Sequence, residues 1–274
     1  MLSRINHIWR ILATGACFAV FSLGGLLLSI TVFPLIRLMV REPEQQHDTT
    51  QSVIHFSFRL FVWFMRTCKV LQLTVIGSEK LKSAGDCLII ANHPCLIDVV
   101  LIISLLKKTG CIVKQSMWSN RFLRGVVASA GYIKNSADPE CLISDCTQYV
   151  EGGSPLIIFP EGTRTTPGAQ LKFHRGAANI ALRSKKAITP VIISCIPPTL
   201  LKNQKWYHVP SSGPMKIILR VGDPINVHPF IDENMPAASR KLTRFLENYY
   251  QREILNNEQI STGNQSIDYR MSGS

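Results

Sequence analysis

A stretch of 26 residues near the N-terminus, 11–36, contains no charged residue and is bounded by Arg10 and Arg37. An α-helix of that length measures about 39 Å, which exceeds the ~30 Å hydrocarbon core of a bilayer. Soluble helices rarely continue so far without a charge, and a signal peptide has a shorter apolar core followed by a small-residue cleavage site. The segment therefore predicts a retained, membrane-embedded helix that can bend at Gly24-Gly25 or at Pro34.

A second apolar stretch, 53–71, differs because His55, Arg59 and Arg66 recur at helical spacing along it. This pattern predicts a helix that lies in the membrane interface with its basic face toward the headgroups. The alternative is a core helix with one wet face. Basic residues nearly balance on the two sides of the first segment, so its orientation stays open.

The net charge of +12, from 30 Lys and Arg against 18 Asp and Glu, suits a polyanion or an anionic lipid surface. The chain has neither zinc-finger spacing nor an RNA-binding signature, so the membrane is favoured over nucleic acid. Its length of 274 residues, 46% of them apolar, allows one sizeable core plus a membrane element.

Eight cysteines are scattered without any C-x-x-C pair. Several lie in apolar runs, which is typical of small core residues in a reducing compartment rather than of a disulfide framework or a metal site. The catalytic part is therefore expected in the cytoplasm.

Short apolar runs alternate with helix-like segments after residue 69. The predicted strands are 71–76, 87–91, 111–114, 156–159, 188–194 and 215–221. The predicted helices are 97–106, 121–130, 139–150, 176–184 and 236–255. This alternation predicts an α/β fold: a single mixed or mostly parallel sheet flanked by helices, with an N-terminal membrane-embedded helical segment. The chain divides into membrane helices (1–68), a catalytic domain (69–257) and a disordered tail (258–274).

The segment 92–98, NHPCLID, follows a buried strand and supplies a base, His93, with a carboxylate, Asp98. Pro94 fits the first turn of a helix, so His93 is expected at a strand-to-helix elbow. Within one helix, five residues separate two side chains by about 140°, so the pair meets only if His93 precedes the helix and folds back. Asp98 then fixes the imidazole tautomer and raises the basicity of the other nitrogen.

No G-x-S-x-G elbow is present, so the nucleophile is expected to be the hydroxyl of an acceptor. A thiol nucleophile at Cys95 is the alternative, and a small residue packed in the turn is favoured over it. Zinc would lack a third ligand at a typical spacing, so no metal is expected.

The segment 159–164, FPEGTR, leaves the end of another buried strand. Gly162 lets the backbone approach a ligand, and Arg164 offers a planar fork for phosphate or carboxylate. Lys172 and Arg175 follow, before a helix that begins at 176 and whose N-terminus also favours an anion. The two motifs together suggest base-assisted transfer to a hydroxyl on an acidic acceptor.

At these residues the sequence resembles the glycerolipid acyltransferase family, which includes the bacterial 1-acylglycerol-3-phosphate acyltransferases. Segment 92–98 is similar to the family's first block, 159–164 to its third, 131–134 to its second, and 188–191 to its fourth. The match also includes 221–225, a common later strand, and covers roughly residues 70 to 230 in the expected order.

The resemblance implies transfer of a fatty acyl group from an acyl-carrier-protein or coenzyme A thioester to a lipid hydroxyl, with no other cofactor. His93 would deprotonate the hydroxyl and Asp98 would orient the ring. Arg164, helped by the Gly162 backbone, would bind the acceptor's phosphate. Glu161 would shape this loop or contact the acceptor rather than act as a second base, and Thr163 would belong to the same substrate-binding set. Backbone N–H groups near the elbow would stabilise the oxyanion. The expected location is the inner (cytoplasmic) membrane, with the catalytic domain facing the cytoplasm.

One position departs from the family pattern. The second block usually ends in an arginine that binds the acceptor's phosphate, and here Lys134 is followed by Asn135. Lys134 supplies a point charge without the bidentate geometry. An acceptor other than a glycerophosphate, such as an ornithine lipid or a polyene-type lipid, is therefore an alternative. A non-catalytic lipid-binding protein and a thioester hydrolase are weaker alternatives.

Overall fold

A computed structural model of the chain describes residues 2–82, 85–165, 168–231 and 233–262, and it contains one seven-stranded sheet with helices on both faces. The strands are β1 (Leu71–Ile76), β2 (Leu88–Ala91), β3 (Gly110–Val113), β4 (Ile133–Lys134), β5 (Leu156–Ile158), β6 (Ile188–Ile196) and β7 (Met215–Val221). The helices are α1 (Leu2–Leu27), α2 (Phe33–Met39), α3 (Pro43–Thr67), α4 (Ser78–Lys82), α5 (Asp98–Ile103), α6 (Gln115–Trp118), α7 (Arg124–Ser129), α8 (Pro139–Glu151), α9 (Gly176–Ser184) and α10 (Met235–Thr262). The predicted fold class is confirmed.

The sheet order is β1-β7-β6-β2-β5-β3-β4. Strands β6, β2, β5, β3 and β4 run parallel, whereas β7 pairs antiparallel to β6 and parallel to β1. Because the carboxyl ends of parallel strands meet at one edge, the loops after β2, β5, β4 and β6 share that edge. Both motifs lie there.

Two apolar layers sandwich the sheet. One face packs against α1, α3, α5 and α7, and the other against α8, α9 and α10. The central strand β2 is fully buried on both faces, which explains its continuous apolar run rather than an alternating one.

The N-terminal segment forms a helical hairpin. Helix α1 continues through a π-helical stretch, Leu28–Val32, into α2, and α3 returns antiparallel to it. Trp9 donates to the carbonyl of Cys68, and the ring of Phe21 contacts the rings of Phe58 and Phe61. One helical span among the described residues, Arg4–Met39, is long and apolar enough to cross a membrane, and only 11% of its most apolar window is buried. The prediction of a long apolar helix is confirmed.

The outer face of the second helix is apolar, and one member of the predicted basic stripe contacts the catalytic domain. Phe56, Leu60 and Trp63 are 65%, 52% and 53% exposed, so the outer face of α3 is apolar. His55 instead lies 2.9 Å from the carbonyl oxygen of Ile103, and Arg59 and Arg66 line a narrow groove between α3, β1 and the end of α5. The Ile103 carbonyl, at the end of α5, gives His55 a partner on the domain side, which neither interpretation of the sequence anticipated.

Several boundaries also differ. Helix α3 begins at Pro43, ten residues before the predicted start, and the two-residue strand β4 was not predicted. Helix α10 continues to Thr262, past the predicted domain end at 257, so residues 258–262 are helical rather than a tail. The rest of the predicted tail, 263–274, lies outside the described residues.

Candidate active site

The first motif forms an elbow in which histidine and aspartate meet. His93 follows β2, and Asp98 is the first residue of α5. The His93 Nδ1 atom lies 2.9 Å from Asp98 Oδ2. The predicted fold-back is confirmed, but the placement of Pro94 in a helix is wrong, because α5 begins four residues later.

Asp98 is completely buried and orients the elbow through one oxygen. Its Oδ2 also accepts the backbone N–H of Cys95 at 2.8 Å, and its Oδ1 has no partner among the described residues. Burial raises the pKa of Asp98, while the hydrogen bond and charge of His93 oppose that rise. The ring of His93 is 21% exposed, so its second nitrogen, Nε2, belongs to the side chain's accessible end.

The second motif clamps the backbone of His93 from both sides. Glu161 Oε1 accepts the N–H of His93 at 2.9 Å and the hydroxyl of Thr165 at 2.9 Å. The N–H of Thr165 donates to the carbonyl of His93 at 2.7 Å. Burial raises the pKa of Glu161 against the effect of these donors. The expectation that Glu161 shapes this loop agrees with the geometry.

Two further side chains hold the elbow, and their roles were not predicted. The ring of Phe159 stacks on His93 with centroids 4.4 Å apart. The amide of Asn92 forms a double hydrogen bond with the backbone of Ile193 on β6, 2.8 Å in each direction. Both residues belong to the quoted motifs, but their sequence context carries no signal for these particular contacts.

Gly162 has a φ of +64°, and the ring of His174 lies 3.2 Å from where a Cβ atom would be. The position therefore requires glycine for its conformation and for this close approach. The N–H of Gly162 donates to the carbonyl of Phe159, so this group is not available for a phosphate, contrary to the sequence expectation. The N–H of Cys95 is likewise not available to stabilise an oxyanion, because it already donates to Asp98.

Arg164 is half-buried and tied to the loop after β6. Its Nη1 donates to the carbonyls of Leu200 and Leu201, at 2.8 and 3.0 Å. The edge formed by Nε and Nη2 has no hydrogen bond to any described residue. A guanidinium fixed through Nη1 keeps this edge ready for a bidentate oxyanion.

The remaining predicted cations are dispersed. Lys134 ends β4 and is exposed, three strand spacings or about 14 Å across the sheet from the strand of His93. Lys172 and Arg175 are exposed in the segment before α9, and Thr163 is half-buried in the 159–164 loop. The fold brings these residues to one edge without joining them in a single contact.

An apolar cavity of about 300 Å³ lies beside the elbow. Its walls include Phe21 of α1, Met65 of α3 and Met215 of β7. Leu96 and Ile97, which lie between His93 and Asp98 in the sequence, also line it. The cavity therefore joins the hairpin to the motif loop.

The thiol of Cys95 is poorly suited to act as a nucleophile. Cys95 is fully buried, and contact with Cys195 together with burial raises its pKa well above the usual value. All eight cysteines are free, and six of them are buried, as expected of small core residues. Within the described ranges, no group of three or more His, Cys, Asp or Glu side chains is arranged to hold a metal ion.

The chain is similar to several known proteins. The model of the acyltransferase family matches residues 72–194. A 1-acyl-sn-glycerol-3-phosphate acyltransferase of Cocos nucifera is 29% identical over 146 residues, which are 51% of this chain and 46% of that protein. The Helicobacter pylori enzyme of the same name is 29% identical over 130 residues, 44% of this chain and 55% of that one.

The fold also matches a solved structure. The crystal structure of the 1-acyl-sn-glycerophosphate (LPA) acyltransferase PlsC from Thermotoga maritima aligns with a TM-score of 0.69 at 18% identity, over 92% of this chain and 97% of that one. The chain spans about half the length of the first curated relatives that it matches. Residues 72–194 thus match the model of the acyltransferase family, and the chain has the fold of the Thermotoga maritima protein.

Proposed function

We propose that this chain is a membrane-associated O-acyltransferase. It transfers a fatty acyl group from an acyl thioester, carried by acyl carrier protein or coenzyme A, to the hydroxyl of a 1-acylglycerol-3-phosphate-like acceptor. The observation that carries the proposal is the oriented His93–Asp98 pair beside an apolar cavity and a guanidinium with a free edge. The relatives named above motivate the choice of acceptor.

His93 is the general base in this mechanism. With Nδ1–H donated to Asp98, Nε2 is unprotonated and accepts the proton of the acceptor's hydroxyl as its oxygen attacks the thioester carbonyl. The carboxylate of Asp98 stabilises the imidazolium that forms. Collapse of the tetrahedral intermediate expels the thiolate, which takes the proton back from the His93 imidazolium, and leaves the ester.

The cavity suits a fatty acyl chain. Its walls are almost entirely hydrocarbon and aromatic side chains from the hairpin and the motif loop. Since Leu96 and Ile97 belong to both the cavity and the elbow, a chain lodged there would place its carboxyl end near His93. The cavity can equally hold a chain of the acceptor or of the donor.

Arg164 binds the acceptor's anionic group in this proposal. Leu200 and Leu201 fix one side of its guanidinium, and the Nε/Nη2 edge receives two phosphate oxygens. Lys134, Lys172 and Arg175 add positive potential along the same edge of the sheet.

The exposed apolar face of the hairpin supports attachment to a bilayer. Leu12, Leu23 and Ile30 on the N-terminal helix are 61% to 65% exposed, and the apolar face of α3 continues this surface. The chain's positive charge suits an anionic membrane surface. We assign the catalytic domain to the cytoplasmic side of the inner membrane, where the thioester donors are soluble.

The test is acyl transfer from radiolabelled acyl carrier protein or acyl coenzyme A to lysophosphatidate by the purified chain in detergent. His93→Ala should reduce the rate by about 10²–10⁴-fold, the usual contribution of a general base. Unchanged circular dichroism and vesicle binding would show that the variant is folded. A rate that survives the substitution would remove His93 as the base.

An acceptor without a glycerophosphate is the second candidate. The motivating observation is the Lys134-Asn135 pair, where the family usually has an arginine, together with the exposed position of Lys134. A folded protein that acylates an ornithine lipid or a polyene-type lipid, but not lysophosphatidate, would favour this candidate.

A further inference from the structure

The loop between β6 and β7 exposes two aromatic rings and two lysines in one short segment. Trp206 and Tyr207 are 46% and 39% exposed, and Lys202 and Lys205 are exposed beside them. Neither lysine forms an ion pair with a described residue, although Lys205 lies over the ring of Tyr207 at 5.6 Å. We refer to residues 202–208 as the aromatic loop.

The aromatic loop lies directly against the N-terminal helix. The ring of Trp206 is 3.0 Å from where a Cβ atom of Gly15 would be, so a larger residue there would displace it. Gly15 lies about 60° around α1 from Leu12, at the flank of the exposed apolar face. Trp206 therefore extends that face sideways, onto the catalytic domain.

Hydrogen bonds also join the segment that follows the aromatic loop to the same helix. Arg10 Nη2 donates to the carbonyl of Ser211 at 2.9 Å and to that of Pro210 at 3.3 Å. In the segment that precedes the loop, the carbonyls of Leu200 and Leu201 accept hydrogen bonds from Arg164. The loop thus connects the helix that carries the apolar face to the guanidinium of the candidate active site.

The composition of the aromatic loop matches the headgroup layer of a bilayer. Tryptophan and tyrosine concentrate at membrane–water interfaces because one end of each ring is apolar and the other polar. Lysines beside them attract anionic lipids. Scattered exposed aromatics are ordinary, but these adjoin an exposed apolar helix face.

We propose that the aromatic loop is a third membrane-contacting element, beside the two helices of the hairpin, and that it rests in the headgroup layer of an anionic bilayer. This inference depends on the membrane association in the proposed function but not on the chemistry of transfer. Thr199, Leu200, Val209 and Pro210, which flank the loop, also line the apolar cavity. Bilayer contact at the loop would hold the cavity wall and Arg164 at the lipid surface.

The experiment is flotation of the full chain with vesicles of phosphatidylcholine, with and without phosphatidylglycerol, in the absence of any substrate. Lys202→Gln with Lys205→Gln should weaken binding to the anionic vesicles by about 5-fold for each lysine and leave binding to neutral vesicles unchanged. Trp206→Ala with Tyr207→Ala should weaken binding to both kinds.

Matched controls lie on α10, which packs on the opposite face of the sheet from the hairpin. Arg240→Gln with Arg244→Gln removes the same charge, and Phe245→Ala removes an aromatic ring that is 43% exposed. Neither control should change vesicle binding. If the double aromatic variant does not fold, quenching by brominated lipid gives a second measurement: Trp206→Phe should remove a quenched component of the fluorescence.

Three outcomes would overturn the proposal. Equal losses in the α10 controls would assign the effect to net charge, and unchanged binding in both loop variants would exclude membrane contact. Unchanged vesicle binding with a raised KM for acyl carrier protein would make the loop a docking surface for that acidic protein. Failure of the proposed acyl transfer can be told apart from failure of this proposal, because vesicle binding is measured without substrate. His93→Ala should bind vesicles like the wild type, whether or not the wild type transfers acyl groups.

Discussion

The elbow at His93 and the cations around it are organised in opposite ways. Hydrogen bonds fix both the ring and the backbone of His93, and its partner Asp98 is completely buried. Among the cations only Arg164 is held on one side, and Lys134 and Arg175 are exposed at separate places along the sheet edge. The proposed base is thus preorganised, whereas the charges that would meet the acceptor must converge when it binds.

The most severe test of this contrast is Asp98→Asn. If the oxygen of the new amide at position 98 faces the His93 ring, the hydrogen bonds survive, but the charge that stabilises the imidazolium is lost. If the amide nitrogen faces the ring, His93 must adopt the other tautomer. Either arrangement should lower the turnover rate by about 10²–10⁴-fold, as in other His–Asp pairs. Single-turnover kinetics would measure the loss, and a rate equal to that of the wild type would show that the pair is only structural.

Substitutions of Arg164 should act on acceptor affinity more than on turnover. Arg164→Ala should raise the acceptor KM by about 10- to 100-fold, the range expected for a hydrogen bond to a charged group, ~1.5–3 kcal/mol. Arg164→Lys should be nearly as poor, because a lysine has no planar fork. Arg183→Ala is a matched control, since Arg183 pairs with Glu140 on the surface of α8 and α9. A turnover defect with unchanged KM would contradict the assignment.

Two substitutions of Glu161 distinguish a structural role for this residue from a catalytic one. Both donors to this residue, His93 N–H and Thr165 hydroxyl, use Oε1, so Glu161→Gln can keep both hydrogen bonds and most of the activity. Glu161→Ala should cost about 1–3 kcal/mol of stability, because it leaves the His93 N–H without a partner. Urea denaturation and initial rates of the two variants would check this, and an inactive Gln variant would indicate a second base.

The same residue should make stability depend on pH. Burial raises the folded-state pKa of Glu161 above its ordinary value of 4.5, so the folded protein holds this proton more tightly than the unfolded chain. The free energy of unfolding should therefore decline as the pH rises from about 4.5 through the raised folded-state value. Glu161→Gln should lack this part of the decline in parallel urea titrations, and an identical pH dependence in both proteins would exclude it.

The smallest effect is expected at Lys134. An exposed lysine about 14 Å across the sheet adds a screened attraction of ~1 kcal/mol or less, so Lys134→Ala should raise the acceptor KM by about 5-fold at most. Measurement at low and high salt would identify the screened contribution. A loss as large as that of Arg164→Ala would instead show that Lys134 replaces the family's arginine directly.

The sheet and the elbow were predictable because their signals are local. Continuous apolar runs such as Leu88–Ala91 mark buried parallel strands, and a histidine at the end of one run with an aspartate five residues later can meet in few ways. The sequence also placed both motifs at one edge, since parallel strands impose that arrangement.

The rest depends on contacts between distant segments. His55 faces the domain because its ring meets the Ile103 carbonyl, 48 residues away at the end of α5, and periodicity does not report such a contact. The bond from Arg164 to Leu200 joins segments 36 residues apart, and β4 has only two residues. Neither leaves a pattern in a single sequence.

The π-helical stretch Leu28–Val32 has a geometric consequence for the whole N-terminal segment. A π turn accommodates one residue more than an α-helical turn. All later side chains are therefore rotated by about 100° around the helix axis, compared with their positions in an unbroken α-helix. With that rotation, buried Ile36 lies on the same side of the helix as buried Cys17, and exposed Leu35 lies about 20° from exposed Leu23. In an unbroken α-helix, the two residues of each pair would be at least 100° apart. The π turn therefore lets an inner stripe and an outer stripe each continue along the full helix. Deletion of one residue within it would restore a regular α-helix and keep both stripes aligned, whereas conversion of the intact stretch to an α-helix would rotate the last two turns by about 100°.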